Sequence, residues 1–204
     1  MDLNILLYIN NMDFETFYDS TYSRDKFKIV NTNNNGSCCY DSILKLLKIN
    51  KKIKPNINTK IIQSQAVNWI IKNKELYLPN YNLTVEDYVL YTHQFDNFDE
   101  YVETYKKYSG KTYENISHDR WGGIPELIAL SYIYNININI YTGKSYNKNK
   151  NKIIKGTIIN GKPRKDFRYQ LLLNTTRNEF NNTYNILYIQ NGKSSHFVGL
   201  IMIT

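Results

Sequence analysis

Apolar positions along the chain recur at two spacings, and the change from one to the other falls near residue 136. Before it they return every three or four residues, as on one face of a helix. Phe14, Phe17 and Tyr18 predict a helix over 14–24. Tyr40, Ile43, Leu44, Leu46, Leu47 and Ile49 predict another over 39–49. Ile61, Ile62, Ala66, Val67, Ile70 and Ile71 predict a third, with Thr59 as its cap. Thr84 to Asp87 reads as a helix start, Phe98 to Tyr108 as a short amphipathic helix, and 124–134 as an apolar one. Phe27 to Val30 looks extended and runs into an Asn-rich turn at 31–36. From Ile136 the period drops to two: Ile136, Ile138 and Ile140 alternate with asparagines, as in a half-buried strand. Residues 153–159, 169–173, 184–189 and 196–203 are four more strand candidates, with turns marked by Gly161, Asn174 to Thr176 and Gly192. Helices first and strands afterwards predict an α+β domain with a sheet flanked by helices.

At 204 residues the chain has the length of one domain with a substantial core, so residues 1–204 are expected to form a single unit, with 1–13 as a docking segment or extension. The abundance of Asn, Lys, Ile and 19 tyrosines lowers the mean hydropathy without pointing to a function. Cys38 and Cys39 are the only cysteines and cannot build a disulfide framework, which fits a reducing intracellular, cytosolic setting. The short apolar opening lacks the basic leader of a signal peptide, and no uncharged stretch has transmembrane length. Two adjacent cysteines and three scattered histidines give no zinc spacing, so neither metal nor cofactor is expected.

The net charge of +8 is concentrated late, since no Asp or Glu lies between Glu126 and Asp166 while lysines recur from Lys144 to Lys165. With no nucleic-acid motif beside it, this segment reads as a solvated Lys/Asn hairpin loop rather than a nucleic-acid or anionic-membrane patch; contact with a protein substrate is the remaining reading.

Chemistry concentrates at Cys38. It follows a Gly-containing polar turn, Asn35-Gly36-Ser37, and opens the 39–49 helical pattern. Gly36 allows a tight backbone whose amides can converge on an oxyanion, and a helix beginning at the thiol is expected to lower its pKa. His196, in Ser195-His196-Phe197 near the C-terminus, is the favoured general base; His93 and His118 lack its aromatic-strand context. A cysteine hydrolase follows from this pairing.

At these residues the chain resembles the ovarian tumour (OTU) cysteine proteases, which are deubiquitinases. Asn35-Gly36-Ser37-Cys38-Cys39-Tyr40 is similar to the family's Asp-Gly-Asn-Cys nucleophile block. Trp121-Gly122-Gly123-Ile124-Pro125-Glu126-Leu127 resembles its Trp-Gly-Gly block, and His196-Phe197 its terminal His-aromatic strand. The blocks stand in family order over residues 35–200. The resemblance implies an OTU-like, papain-like fold with a central, mostly antiparallel sheet flanked by helices. It implies hydrolysis of (iso)peptide bonds after the terminal glycine of ubiquitin, with ubiquitin, polyubiquitin or a ubiquitin-like modifier as partner, acting as a monomer.

On that resemblance Cys38 is the nucleophile, His196 the base, and the main chain at Asn35 and Cys38 the oxyanion hole. Gly36, Trp121, Gly122 and Gly123 would line the substrate groove. The pattern departs at two places. Asn35 replaces Asp, and Val198 stands where many members carry an Asp or Asn that orients the histidine. Asn31 is the first choice for an orienting group from upstream, with Asn33, Asn34 and Asp25 as alternatives; all the asparagines are equally readable as turn formers, and a dyad is the remaining option. The departures leave two other functions open: an impaired ubiquitin-binding module, or a cysteine protease of this fold with a non-ubiquitin target.

Overall fold

The computed structural model describes residues 21–32, 36–108, 122–150, 152–159, 162–176, 178–191 and 194–203. The expectations for 1–13 and 14–20, Asn33 to Asn35, His118, Trp121, Gly161 and Gly192 lie outside the described residues.

The described residues open with β1 (Thr21–Ser23), a single 3-10 turn (Arg24–Lys26) and β2 (Phe27–Val30). Five helices follow: α1 (Cys38–Ile49), α2 (Thr59–Lys72), α3 (Val85–His93), α4 (Phe98–Tyr108) and α5 (Ile124–Tyr134). Between α2 and α3 lies a small hairpin, β3 (Tyr77–Leu78) with β4 (Leu83–Thr84). The second half supplies β5 (Ile136–Asn147), β6 (Lys152–Lys155), β7 (Ile158–Ile159), β8 (Lys162–Pro163), β9 (Arg168–Asn174), β10 (Asn182–Asn191) and β11 (Ser194–Met202).

Seven strands form one mixed sheet in the order β1-β9-β5-β10-β11-β2, with β6 paired to β5 as the return of a hairpin. Only β5 and β10 run parallel among these pairs, so the sheet is mostly antiparallel, as expected. β1 and β2 stand at opposite ends of this order yet are joined by three residues. Three residues reach roughly 3.3–3.6 Å each, so the two edges must lie close together and the sheet must curl. The rings agree: Phe27 on β2 packs 5.1 Å from Tyr141 on β5 and 5.0 Å from Tyr169 on β9, across strands that are not sheet neighbours.

Alternation divides the sheet into two faces. Ile136, Ile138, Ile140, Ile186 and Phe197 pack with apolar residues of all five helices in the main core. Their alternates Tyr141, Leu187, Val198 and Leu200 join Phe27, Phe167 and Tyr169 in a second cluster. β11 therefore carries both cores, and its N-terminal end meets the first residue of α1.

Three local expectations change. Of the helix expected over 14–24, the described part is strand instead: Thr21 to Ser23 pair with β9, where the Arg168 guanidinium donates to the Thr21 carbonyl at 2.8 Å. The third helix is capped by Asn58, whose side chain accepts the Ile61 N–H at 3.1 Å, rather than by Thr59. The 153–159 strand is two short pieces, β6 and β7, broken where the Gly156 N–H turns back to the Gly143 carbonyl at 2.9 Å. No described helix is long and apolar enough to cross a membrane.

Candidate active site

Gly36 precedes α1 with φ 78°, a left-handed conformation that a side chain would strain. The turn it makes delivers the chain to Ser37 and starts α1 at Cys38, where the first main-chain N–H groups have no partner within the helix. The Cys38 sulfur accepts the N–H of Phe197 at 3.4 Å. The thiol that opens the first helix thus touches the residue next to His196, although 157 intervening positions separate Cys38 from His196 in sequence (195 − 38 = 157).

The register of β2 on β11 explains what surrounds the imidazole. Val30 pairs with Gly199, so continuing the antiparallel pairing by two residues sets Thr32 opposite Phe197. The Thr32 hydroxyl donates to the Phe197 carbonyl and lies 3.2 Å from His196 Nε2. The other ring nitrogen, Nδ1, is buried and has no hydrogen-bond partner among the described residues. Asn31 is placed differently from the expectation: it is exposed, and it is its carbonyl that is engaged, accepting from Lys45 Nζ at 2.9 Å. The Asn31 carbonyl is held by Lys45, and it is the next residue, Thr32, whose side chain reaches the Phe197 carbonyl and the imidazole. Lys45 also pairs with the buried Asp41 at 2.9 Å, one turn into α1, which ties the exit of β2 to the helix.

Electrostatics at the pair run against the expected thiol activation. Burial pushes the Cys38 thiol above its ordinary value; the main-chain N–H groups of Phe197, Cys39 and Cys38 pull it down, and the Asp41 charge pushes it up again. The helix end is outweighed because Cys38 is only 2 % exposed. His196 is shifted down by burial, partly opposed by Asp41. Both shifts favour the neutral forms of thiol and imidazole. Cys39 is fully buried, with its S–H directed to the Gly123 carbonyl at 3.6 Å.

The turn before α5 packs against the first turn of α1. A Cβ on Gly122 would lie 2.6 Å from the ring of Tyr40, which is itself fully buried two residues after Cys38. Glu126 reaches back along the first turn of α5 and accepts the Gly123 N–H at 2.7 Å. Its carboxylate also meets His93 Nε2 at 3.1 Å and the Tyr101 hydroxyl at 3.0 Å, all at full burial. Burial alone would raise the Glu126 pKa, but the charge and hydrogen bond of His93, with the Gly123 N–H, lower it overall. His93, unremarkable in the sequence, is therefore the buried partner of the Trp-Gly-Gly block. Among the described residues no three His, Cys, Asp or Glu side chains converge to hold a metal ion.

No curated protein sequence matches the chain. Among solved structures, an OTU deubiquitinase from Wolbachia pipientis wMel bound to ubiquitin is 15 % identical with a TM-score of 0.48, covering 87 % of this chain and 97 % of that one. The Hazara virus OTU bound to ubiquitin is 15 % identical with a TM-score of 0.48, covering 90 % and 87 %. The viral OTU domain protease from Farallon virus is 17 % identical with a TM-score of 0.41, covering 87 % and 85 %. The family model for the OTU-like cysteine proteases matches residues 33–177, from the turn before Cys38 past α5 and through β9. With a Cys-opened helix, a Gly-Gly turn packed on it and a curled mixed sheet behind, the chain belongs to the OTU-like cysteine protease family.

Proposed function

We propose that this chain is a deubiquitinase, a thiol-dependent hydrolase of the (iso)peptide bond that follows the C-terminal glycine of ubiquitin. The observation that carries the reading is the contact between Cys38 Sγ and the N–H of Phe197, which joins the start of α1 to the strand bearing His196. Family membership supplies the reaction class. The Gly122–Gly123 turn packs on Tyr40 and takes the Cys39 S–H at the Gly123 carbonyl, which keeps it beside the start of α1.

His196 removes the thiol proton as Cys38 Sγ attacks the glycine carbonyl carbon. The N–H of Cys38, with a second from the 35–37 turn, holds the oxyanion that forms. The imidazolium then gives its proton to the leaving lysine amine as the C–N bond breaks, which leaves a thioester. Water, deprotonated by His196, attacks the thioester carbonyl; the tail departs as a carboxylate and Cys38 recovers its proton. Burial raises the Cys38 thiol and lowers the His196 imidazole, which favours proton transfer during the attack over a preformed ion pair.

Isopeptide-linked diubiquitin tests this. Wild type should release monoubiquitin, and Cys38→Ala and His196→Ala should not; intact diubiquitin after prolonged incubation with reduced wild type contradicts it. A second reading, a ubiquitin-binding module without turnover, is favoured by the burial and raised pKa of Cys38. Ubiquitin binding by wild type without cleavage would select it.

A further inference from the structure

We propose that Thr32 is the positioning residue of this site: its hydroxyl fixes His196 as the Nε2–H tautomer and leaves Nδ1 as the acceptor of the Cys38 proton. The inference rests on the reading of His196 as general base and deepens it.

The argument is a count of protons. A threonine hydroxyl has one hydrogen to donate and lone pairs to accept with. The Thr32 hydrogen goes to the carbonyl of Phe197, which can only accept. Towards His196 Nε2, 3.2 Å away, the same oxygen is therefore an acceptor, and Nε2 must carry the hydrogen between them. A neutral imidazole carries one ring hydrogen, so Nδ1 is left with a bare lone pair. Nδ1 is the nitrogen that is buried without a partner among the described residues. A buried lone pair left unmatched is costly and needs an explanation, and a role in proton transfer supplies one here.

Phe197 holds the two halves together. Its carbonyl takes the Thr32 proton while its N–H is given to Cys38 Sγ, so one strand residue sets the positions of both the nucleophile and the group that orients the base. The place of Thr32 opposite Phe197 follows from the β2–β11 register. Val198, which cannot accept an imidazole N–H, then needs no substitute among the residues after the histidine.

The test reads the tautomer directly. Nitrogen-15 NMR of the ring, at about pH 8 so that the imidazole is neutral, distinguishes Nε2–H from Nδ1–H, with the His196 signals assigned by their loss in His196→Ala. Wild type should show the Nε2–H form, Thr32→Ser should keep it, and Thr32→Val, which lacks the acceptor, should shift towards a mixture. On a ubiquitin–fluorophore substrate, Thr32→Val should lower kcat by about tenfold or more with KM unchanged, and Thr32→Ser should restore most of the rate. An Nδ1–H imidazole in wild type overturns the proposal whatever the variants do, as does Thr32→Val with tautomer and kcat unchanged. The NMR readout needs no ubiquitin, so it stands even if ubiquitin is not the substrate. In that case the tautomer supports Thr32 while the absence of ubiquitin cleavage counts against the deubiquitinase reading alone.

Discussion

Replacing Glu126 by alanine should cost a large part of the folding free energy without touching the nucleophile. The carboxylate is fully buried and accepts from three elements at once: His93 at the end of α3, Tyr101 in α4 and the Gly123 N–H ahead of α5. Removing one member of a buried, hydrogen-bonded pair leaves the other uncompensated and typically costs about 3–5 kcal/mol. Domains of this kind are stable by about 5–15 kcal/mol, so the loss should be plain in urea denaturation followed by tryptophan fluorescence. Glu126→Ala with His93→Leu should recover part of it, because an apolar replacement of the whole pair is often tolerated. The pH dependence has a definite sign. The folded Glu126 pKa is lowered, so the unfolded state binds protons more readily. Its contribution is therefore fully present above the ordinary carboxylate range, near pH 4.3 for an unperturbed Glu, and is lost as pH falls through the lowered folded value. Glu126→Gln should track wild type least well at neutral pH and converge on it in acid. A loss below about 1 kcal/mol for Glu126→Ala, the scale of an exposed pair, would refute the reasoning.

Gly122→Ala should lower the melting temperature, since its Cβ would meet the buried Tyr40 ring at 2.6 Å and overpacking of this kind costs about 1–3 kcal/mol; an unchanged melting curve contradicts the close approach. In a Cys39→Ala background, the alkylation rate of Cys38 should still be rising at alkaline pH because burial holds the thiol above its ordinary value. A plateau already reached near neutrality would show a preformed thiolate instead.

The elements that declare themselves locally were legible. Ile136 to Ile140 alternates because both neighbours of β5 leave one face to the helical core, and the α1 pattern is carried by Tyr40, Ile43, Leu44, Leu46 and Leu47, all buried, with only Ile49 at the helix end exposed. Cys38, the Gly-Gly turn and His196 stand out in the sequence because each lies in a block only a few residues long. What the sequence hid depends on partners far along the chain. β1 is three residues long and exists through its pairing with β9, so local periodicity reads it as helix. That Thr32 lies opposite Phe197 depends on the β2–β11 register, which no run of asparagines reveals. The raised Cys38 pKa follows from burial, a property of the packed fold rather than of a motif. His93 and Glu126 meet through the packing of α3 against α5, and nothing beside His93 announces it.

Reaction with an electrophilic C-terminal ubiquitin probe tests the central claim most directly, comparing wild type, Cys38→Ala and Cys39→Ala. The account predicts a covalent adduct with wild type and Cys39→Ala and none with Cys38→Ala. An adduct that survives Cys38→Ala, or a folded, reduced wild type that forms none, would contradict it.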